Sequence, residues 1–237
     1  MEQLHLGKFT VDVIQKDIKN IHLSVYPPTG RVRISAPLRL SLDNIRVFAI
    51  SKLSWIKKQQ TKMRTQEREA PREFLNRESH YFNGKRYLLK VVEHDAAPRV
   101  VLKHSKIELH VRPQTNREKM KYILDEWYRS QLKVSLPSLI QQWEKKMNVR
   151  VSEFGIRKMR TKWGTCNRDA KRIWLNLELA KKPGECLEYI VVHEMAHLLE
   201  RYHNASFVAY MDKFLPKWRF CKEELNRRPL RHEDWSY

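Results

Sequence analysis

The sequence predicts an α+β protein with an N-terminal antiparallel β-rich region containing one helix, residues 1–113, followed by a helix-dominated domain, residues 114–237. Three observations predict it. Short runs of alternating apolar and polar residues, bounded by Pro, Gly and Asn, fill the first half. Apolar residues three and four apart dominate the second half. One stretch there, Leu187 to His203 (LEYIVVHEMAHLLERYH), is almost continuously apolar yet carries two histidines and a glutamate near its centre.

In chain order, Lys8 to Ile14, Ile21 to Val25 and Val32 to Ala36 read as an antiparallel meander, separated by Pro27, Pro28 and Gly30. Ser41 and Asp43 open a helix that uses Ile45, Phe48, Ile50, Leu53, Trp55 and Ile56 and ends near Met63. The polar segment 64–73 reads as a linker or exposed loop. Glu78 to Phe82 and Arg86 to Val92 form a hairpin across Asn83-Gly84, a dipeptide that tolerates the positive φ of a tight turn. Val100 to Lys103 and Ile107 to Val111 form another pair, and Pro113 ends the strands. Thr115 and Glu118 make a capping box for a long helix reaching Met147, which Pro137 should kink or restart. Val149 to Met159 and Arg172 to Leu179 are strands enclosing a loop around Trp163. The apolar helix starts at Pro183-Gly184. Asn204 caps a last helix from Ala205 to about Asn226, whose Phe207, Met211, Phe214 and Trp218 read as core. A charged tail follows from Arg227, and no internal repeat is evident.

With 41% apolar residues among 237, the chain can bury a real core. No apolar run is long enough to span a bilayer. Three cysteines without paired spacing, and an N-terminus lacking a basic start before an apolar run, point to a reducing cytoplasmic setting. The net charge is +20, from 47 basic and 27 acidic residues. Such a field favours polyanions. Arg157, Lys158, Arg160, Lys162, Arg168, Lys171 and Arg172 cluster beside Trp163 against the single acid Asp169, a candidate surface for DNA or RNA, or simply a solvated face.

The centre of the apolar helix reads His193, Glu194, Met195, Ala196, His197. Residues four apart lie one turn above each other, so both imidazoles project from one face, close enough to share an ion. A shuffled chain of this composition carries HExxH in about 3% of cases, and a third His at one fixed offset in about 0.1%, so chance is a poor explanation. Unpaired polar groups on a buried helix are costly, and coordination supplies the compensation. A catalytic Zn2+ takes three protein ligands and keeps its fourth position for water. His203, beyond the helix end, is the natural third ligand. Glu194 then lies beside the open position as general base. The other histidines (His5, His22, His80, His94, His104, His110, His232) lack ligand spacing and read as surface or structural.

The spacing of His193, His197 and His203 is shared with metzincins, but the glycine of their motif is Glu200 here and no Met-turn follows. The chain more closely resembles the YgjP-like metallopeptidase family, related to the SprT-like zincins. The shared residues are HExxH-x5-H followed by Asn204 and Phe207, a loop Trp163-Gly164-Thr165-Cys166, a strand with Asn176 at its centre, and Pro183 before the helix. The likeness covers residues 117–225 best, with Thr165 in place of the usual serine and Val208 in place of a tryptophan. It implies a zincin-like metallopeptidase domain, a polypeptide substrate and a strand, Arg172 to Leu179, that pairs with extended substrate. Cys166 reads as a small hydrophobe rather than a ligand, which would close the open position. Glu200 reads as a solvated carboxylate, with partner of a ligand as the alternative, and Tyr202 and Tyr210 are candidates for stabilising an oxyanion. Two other functions fit the motif: a nucleic-acid-binding protein with a structural zinc site, and a metal-dependent hydrolase of a non-peptide amide or ester.

Overall fold

Gly7, at φ 63°, turns the chain from a first strand, β1 (Glu2–Leu6), into β2 (Phe9–Lys16). This is the start of a computed structural model that describes residues 2–7, 9–26, 29–65, 72–159 and 162–227. Lys8, Pro27, Pro28, Arg160, most of the expected linker (66–71) and the tail from 228 lie outside those residues. The chain falls into two compact units, one ending at Ala70 and the other running from Pro71 to Arg228.

In the first unit, β3 (His22–Tyr26) and β4 (Arg31–Pro37) complete a four-stranded sheet of order β1-β2-β4-β3. The strands expected from Lys8 onward are present, but not as a meander. β4 lies between β2 and β3 and runs parallel to β2. The period-two pattern fixes which side chains point inward, not which strand lies alongside. The link 17–21 needs to cross only two strand spacings, about 10 Å, so parallel pairing requires no helical crossover. Val11, Val13, Val32, Ile34 and Ala36 form the buried face, covered by Ile45, Ala49 and Ile56. These last come from two helices, α1 (Leu42–Ser51) and α2 (Leu53–Thr65), rather than the single helix expected. Ser41 accepts the Asn44 N–H as the α1 cap, and the helix closes at Lys52, whose N–H returns to Ala49 O at 3.1 Å.

The second unit opens with an identical strand plan. β5 (Ser79–Phe82), β6 (Lys85–Glu93), β7 (Arg99–Leu102) and β8 (Lys106–Val111) form a sheet of order β5-β6-β8-β7, again with a parallel central pair. The repeat is invisible in the residues and plain in the pairing. Asn83 and Gly84, at φ 47° and 75°, make the expected hairpin turn.

α3 (Arg117–Met147) is one unbroken helix of 31 residues. Its cap is Asn116, whose side chain accepts the Lys119 N–H at 2.9 Å, and not Thr115, whose hydroxyl bonds Arg112 O. Pro137 does not restart it. Pro137 and Lys133 both face solvent, so the carbonyl deprived of its N–H can be hydrated. The buried face of α3 (Leu124, Tyr128, Leu132, Leu136, Ile140, Trp143, Met147) joins Leu89, Ile107 and Leu109 of the sheet to Val191, Val192 and Met195 of the apolar helix in a single core. The second sheet thus belongs with the helices that follow it, and the units divide at 70/71 where the sequence placed its boundary at 113.

A three-stranded sheet of order β10-β11-β9 follows, from β9 (Glu153–Arg157), β10 (Gly164–Asn167) and β11 (Arg172–Asn176). Asn176 ends β11 by capping a short 3-10 helix, Leu177–Lys181. Pro183 precedes α4 (Gly184–Leu199), the apolar helix, and α5 (Ala205–Phe214) begins under the Asn204 cap. The last expected helix is divided: α5 stops before Pro216 and α6 (Trp218–Arg227) restarts after it. No helix among the described residues is long and apolar enough to cross a membrane.

Candidate metal centre and active-site cleft

α4 packs its apolar side into the core, leaving Val191, Val192, Met195 and Ala196 without exposure. Trp143 Nε1 donates to Glu188 Oε1 at 3.0 Å and pins the helix to α3. The remaining face carries Tyr189, His193 and His197. After Leu199 the backbone leaves the helix at Glu200 in an extended conformation, φ −135° and ψ 122°, so the return toward the helix needs no left-handed residue. That return brings His203 back. One nitrogen from each of His193, His197 and His203 lies within 4.8 Å of the others, with His203 Nε2 only 3.0 Å from His193 Nε2.

Several contacts set the chemistry of these rings. His197 Nδ1 stands 3.0 Å from the Glu200 carbonyl oxygen, which accepts only from N–H; the proton is thereby held at Nδ1 and Nε2 keeps its lone pair. The Glu200 contribution comes from its carbonyl, while its carboxylate accepts the Tyr202 N–H. Burial, reinforced by the neighbouring imidazoles, pushes His193 down to about 3; burial also lowers His197. Both are neutral at pH 7, the form that ligates metals. His193 Nδ1 is buried with no hydrogen-bond partner among the described residues. Phe207 of α5, buried beneath the cluster, touches all three rings at centroid distances of 4.7 to 5.0 Å. Three imidazoles converging over an aromatic floor fit one divalent ion that prefers nitrogen.

Glu194 is 5% exposed, and burial raises its carboxyl to about 8 against the opposing charge of Lys162. Its carboxylate lies against Gly164: a Cβ built there would stand 2.5 Å from Glu194 Oε1. Only glycine allows β10 so close. Asn176, also buried, donates to Met159 O and Lys162 O and receives the Glu178 N–H, tying the loop around Trp163 to the end of β11. Cys166 stands outside the histidine cluster. Burial and the Glu194 charge raise its thiol to about 11, which keeps it protonated and a poor ligand.

A cleft of 1310 Å3 opens over the histidines, lined by β10, the 167–171 turn, α4, Arg201, His203 and residues of α6. Tyr189 lines it, whereas Tyr202 and Tyr210 do not. Tyr189 was findable, being one helical turn before His193. β11 is the central strand of its sheet, so the edge beside the cleft is β10, not the strand first expected to pair with substrate. The basic cluster is also dispersed. Lys162, Arg168 and Lys171 line the cleft, Lys158 pairs with Asp125, and Arg157 and Arg172 stack on Trp174 with Arg172 near Glu153. Among the seven other histidines, His80 is buried in β5, whereas His5, His22 and His104 are exposed; His232 lies outside the described residues.

Solved structures that resemble part of the chain include two metallopeptidase zymogens. The metallopeptidase zymogen abylysin of Pyrococcus abyssi is 25% identical over 38% of this chain and 88% of its own, at a TM-score of 0.34. Jannalysin of Methanocaldococcus jannaschii, also a metallopeptidase zymogen, is 22% identical over 37% and 88%, at 0.33. No curated protein sequence matches. The pattern of the YgjP-like, metallopeptidase domain family matches residues 19–228, nearly the whole chain and every element that builds the cleft, and on that match the chain belongs to the YgjP-like metallopeptidase family.

Proposed function

We propose that the protein is a Zn2+-dependent peptidase in which His193, His197 and His203 hold the ion and Glu194 is the general base. The observation carrying this reading is the convergence within 4.8 Å of one nitrogen from each of His193, His197 and His203, in a cleft also lined by the buried Glu194, which shares α4 with the first two. When bound, the ion supplies Lewis acidity that polarises the scissile carbonyl and acidifies water, and its charge favours the carboxylate form of Glu194. Glu194 takes the proton of the attacking water at its carboxylate and returns it to the leaving amine. Gly164 sets the height of β10 above that carboxylate. β10, paired on one side to β11 and on the other to no strand among the described residues, offers backbone groups to an extended polypeptide along the cleft.

Glu194→Gln tests the role of the base. Metal content measured by elemental analysis should stay near one equivalent while turnover of any cleaved peptide falls on the order of 10²–10⁴-fold. The double change His193→Ala/His197→Ala should lose the ion. Wild-type turnover in Glu194→Gln would overturn the mechanism, and full metal retention in the double variant would overturn the ligand set. A panel including simple amides and esters separates a peptidase from a hydrolase of other carbonyl compounds.

A second reading, action on nucleic-acid-associated proteins, is favoured by the net charge of +20 and by the Trp174 ring flanked by the Arg157 and Arg172 guanidiniums at 4.9 and 5.9 Å. Basic groups beside an aromatic plane suit phosphate and base stacking together. Arg157→Ala/Arg172→Ala should reduce the slope of log K against log salt concentration for DNA binding by about one to two. An unchanged slope sinks it.

A further inference from the structure

Within this unit some cations have a carboxylate partner and others have none among the described residues. Lys158, Lys181 and Arg219 each have a carboxylate partner, respectively Asp125, Glu178 and Asp212. Arg150, Lys162, Arg168, Lys171, Arg201 and Lys222 line the cleft, and among the described residues none of them forms an ion pair. Arg168 donates only to a backbone carbonyl, Leu198 O. Arg201 and Lys222 lie over the rings of Tyr202 and Trp218, leaving their charge uncompensated. The acids lining the same space are Glu194, which the reaction uses, and the exposed Asp169.

The positions matter as much as the number. Lys162 precedes β10, Arg168 and Lys171 follow it, Arg150 precedes β9, Arg201 lies between His197 and His203, and Lys222 is on α6, all lining the cleft that holds Glu194 and the three histidines. Positive charge therefore stands on several sides of the reacting centre. A concave surface in which six cations outnumber two acids focuses field and raises the local concentration of ligands of negative charge.

Resting on the peptidase reading of this site, we propose that the cleft selects acidic polypeptide segments, with Asp or Glu side chains on both flanks of the scissile bond met by Lys162 and Lys222 near the centre and by Arg168, Lys171, Arg150 and Arg201 toward the rim. A polypeptide fits better than a nucleic acid because β10 presents a free strand edge along the floor, which pairs with peptide backbone and has no counterpart in a phosphodiester.

Fluorogenic peptides with one common apolar core and flanks of Glu, Gln or Lys test this on the full-length, metal-loaded chain. The Glu-flanked peptide should exceed the Lys-flanked one in kcat/KM by about tenfold or more at low salt, with the gap closing between about 50 and about 500 mM as screening shortens below the width of the cleft. Arg201→Glu/Lys222→Glu, two exposed positions, should abolish or invert the order, whereas Lys133→Glu/Lys145→Glu on exposed turns of α3, with the same change in net charge, should preserve it. Thermal unfolding establishes that each variant is folded, and single Lys222→Gln, expected to narrow the gap severalfold, serves if the double variant does not fold. Binding of the same peptides to Glu194→Gln by fluorescence anisotropy reads the preference without turnover. Cleavage with equal rates for all flanks overturns the inference and leaves the peptidase reading standing. Preferential binding of the Glu-flanked peptide without cleavage supports the inference and removes the peptidase reading. Competition by an oligonucleotide, with no ranking among peptides, overturns the inference in favour of a nucleic-acid cleft.

Discussion

The two four-stranded sheets share strand order and direction, yet only one of them supports the catalytic centre. In β1-β2-β4-β3 the buried face is closed by its own helices α1 and α2. In β5-β6-β8-β7 the corresponding face is closed by α3, whose other contacts continue to α4, so the sheet shares a core with the helix that carries His193 and His197. The hairpin tips differ in the same way. Gly7, between β1 and β2, has open space where a Cβ would stand. Gly84, between β5 and β6, lies against Pro183, and Asn83 and Gly84 donate to Ala180 O and Lys181 O at the base of α4. Topology alone therefore confers no function. A sheet becomes part of an active site through what covers its face and what its turns touch.

The strongest way to break this comparison is to hollow each core. Ile34→Ala in β4 and Ile107→Ala in β8, both fully buried, should each cost about 2–5 kcal/mol. They should act on different unfolding transitions in denaturant titrations. Added Zn2+ should raise only the transition weakened by Ile107→Ala, because ligands stabilise the unit that binds them. A common shift of both transitions with metal would show the units to be one cooperative body.

The turns sharpen the contrast at smaller cost. Gly84→Ala imposes a side chain at φ 75° and drives its Cβ to 2.8 Å from Pro183 Cγ, for an expected loss of about 2–4 kcal/mol. Gly7→Ala meets the left-handed penalty alone, about 1–2 kcal/mol. Equal losses measured by chemical denaturation would refute the account of the Gly84 contact.

Acid provides the mildest test. Burial, then the Arg72 charge, lowers His80 in β5 to about 4. Its unfolded value near 6.5 is higher, so the unfolded state binds the extra proton and stability of the second unit falls as pH drops from about 6.5 to about 4, by on the order of 1–3 kcal/mol. In the first unit, burial opposes ionisation of Asp12, but hydrogen bonds from Arg31 and Gln3 outweigh it and hold the carboxyl below its usual range. That contribution is present above about pH 4 and is lost only as pH falls further through the folded value. Thermal melts between pH 7 and pH 4 should thus show a decline in the second unit that His80→Gln reduces, while Arg31→Ala changes the first unit with little pH dependence over that range. A decline unaltered by His80→Gln would assign the acid sensitivity elsewhere.

Much of the centre was legible because it is local. A helix places residues four apart on one face whatever surrounds it, so His193 and His197 could be paired from spacing alone, and Asn204 and Asn83-Gly84 likewise specify a cap and a turn through their own backbone preferences. What only the tertiary structure decided is non-local. The parallel pairs β2/β4 and β6/β8, the central place of β11, the union of the second sheet with α4, the approach of Gly164 to Glu194 and the gathering of Arg150, Arg201 and Lys222 around one cleft all join segments far apart in the chain. Period-two and period-3.6 patterns record only whether a side chain faces in or out, and many pairings satisfy the same pattern; which one forms is set by packing over the whole core, a quantity no single stretch of residues contains.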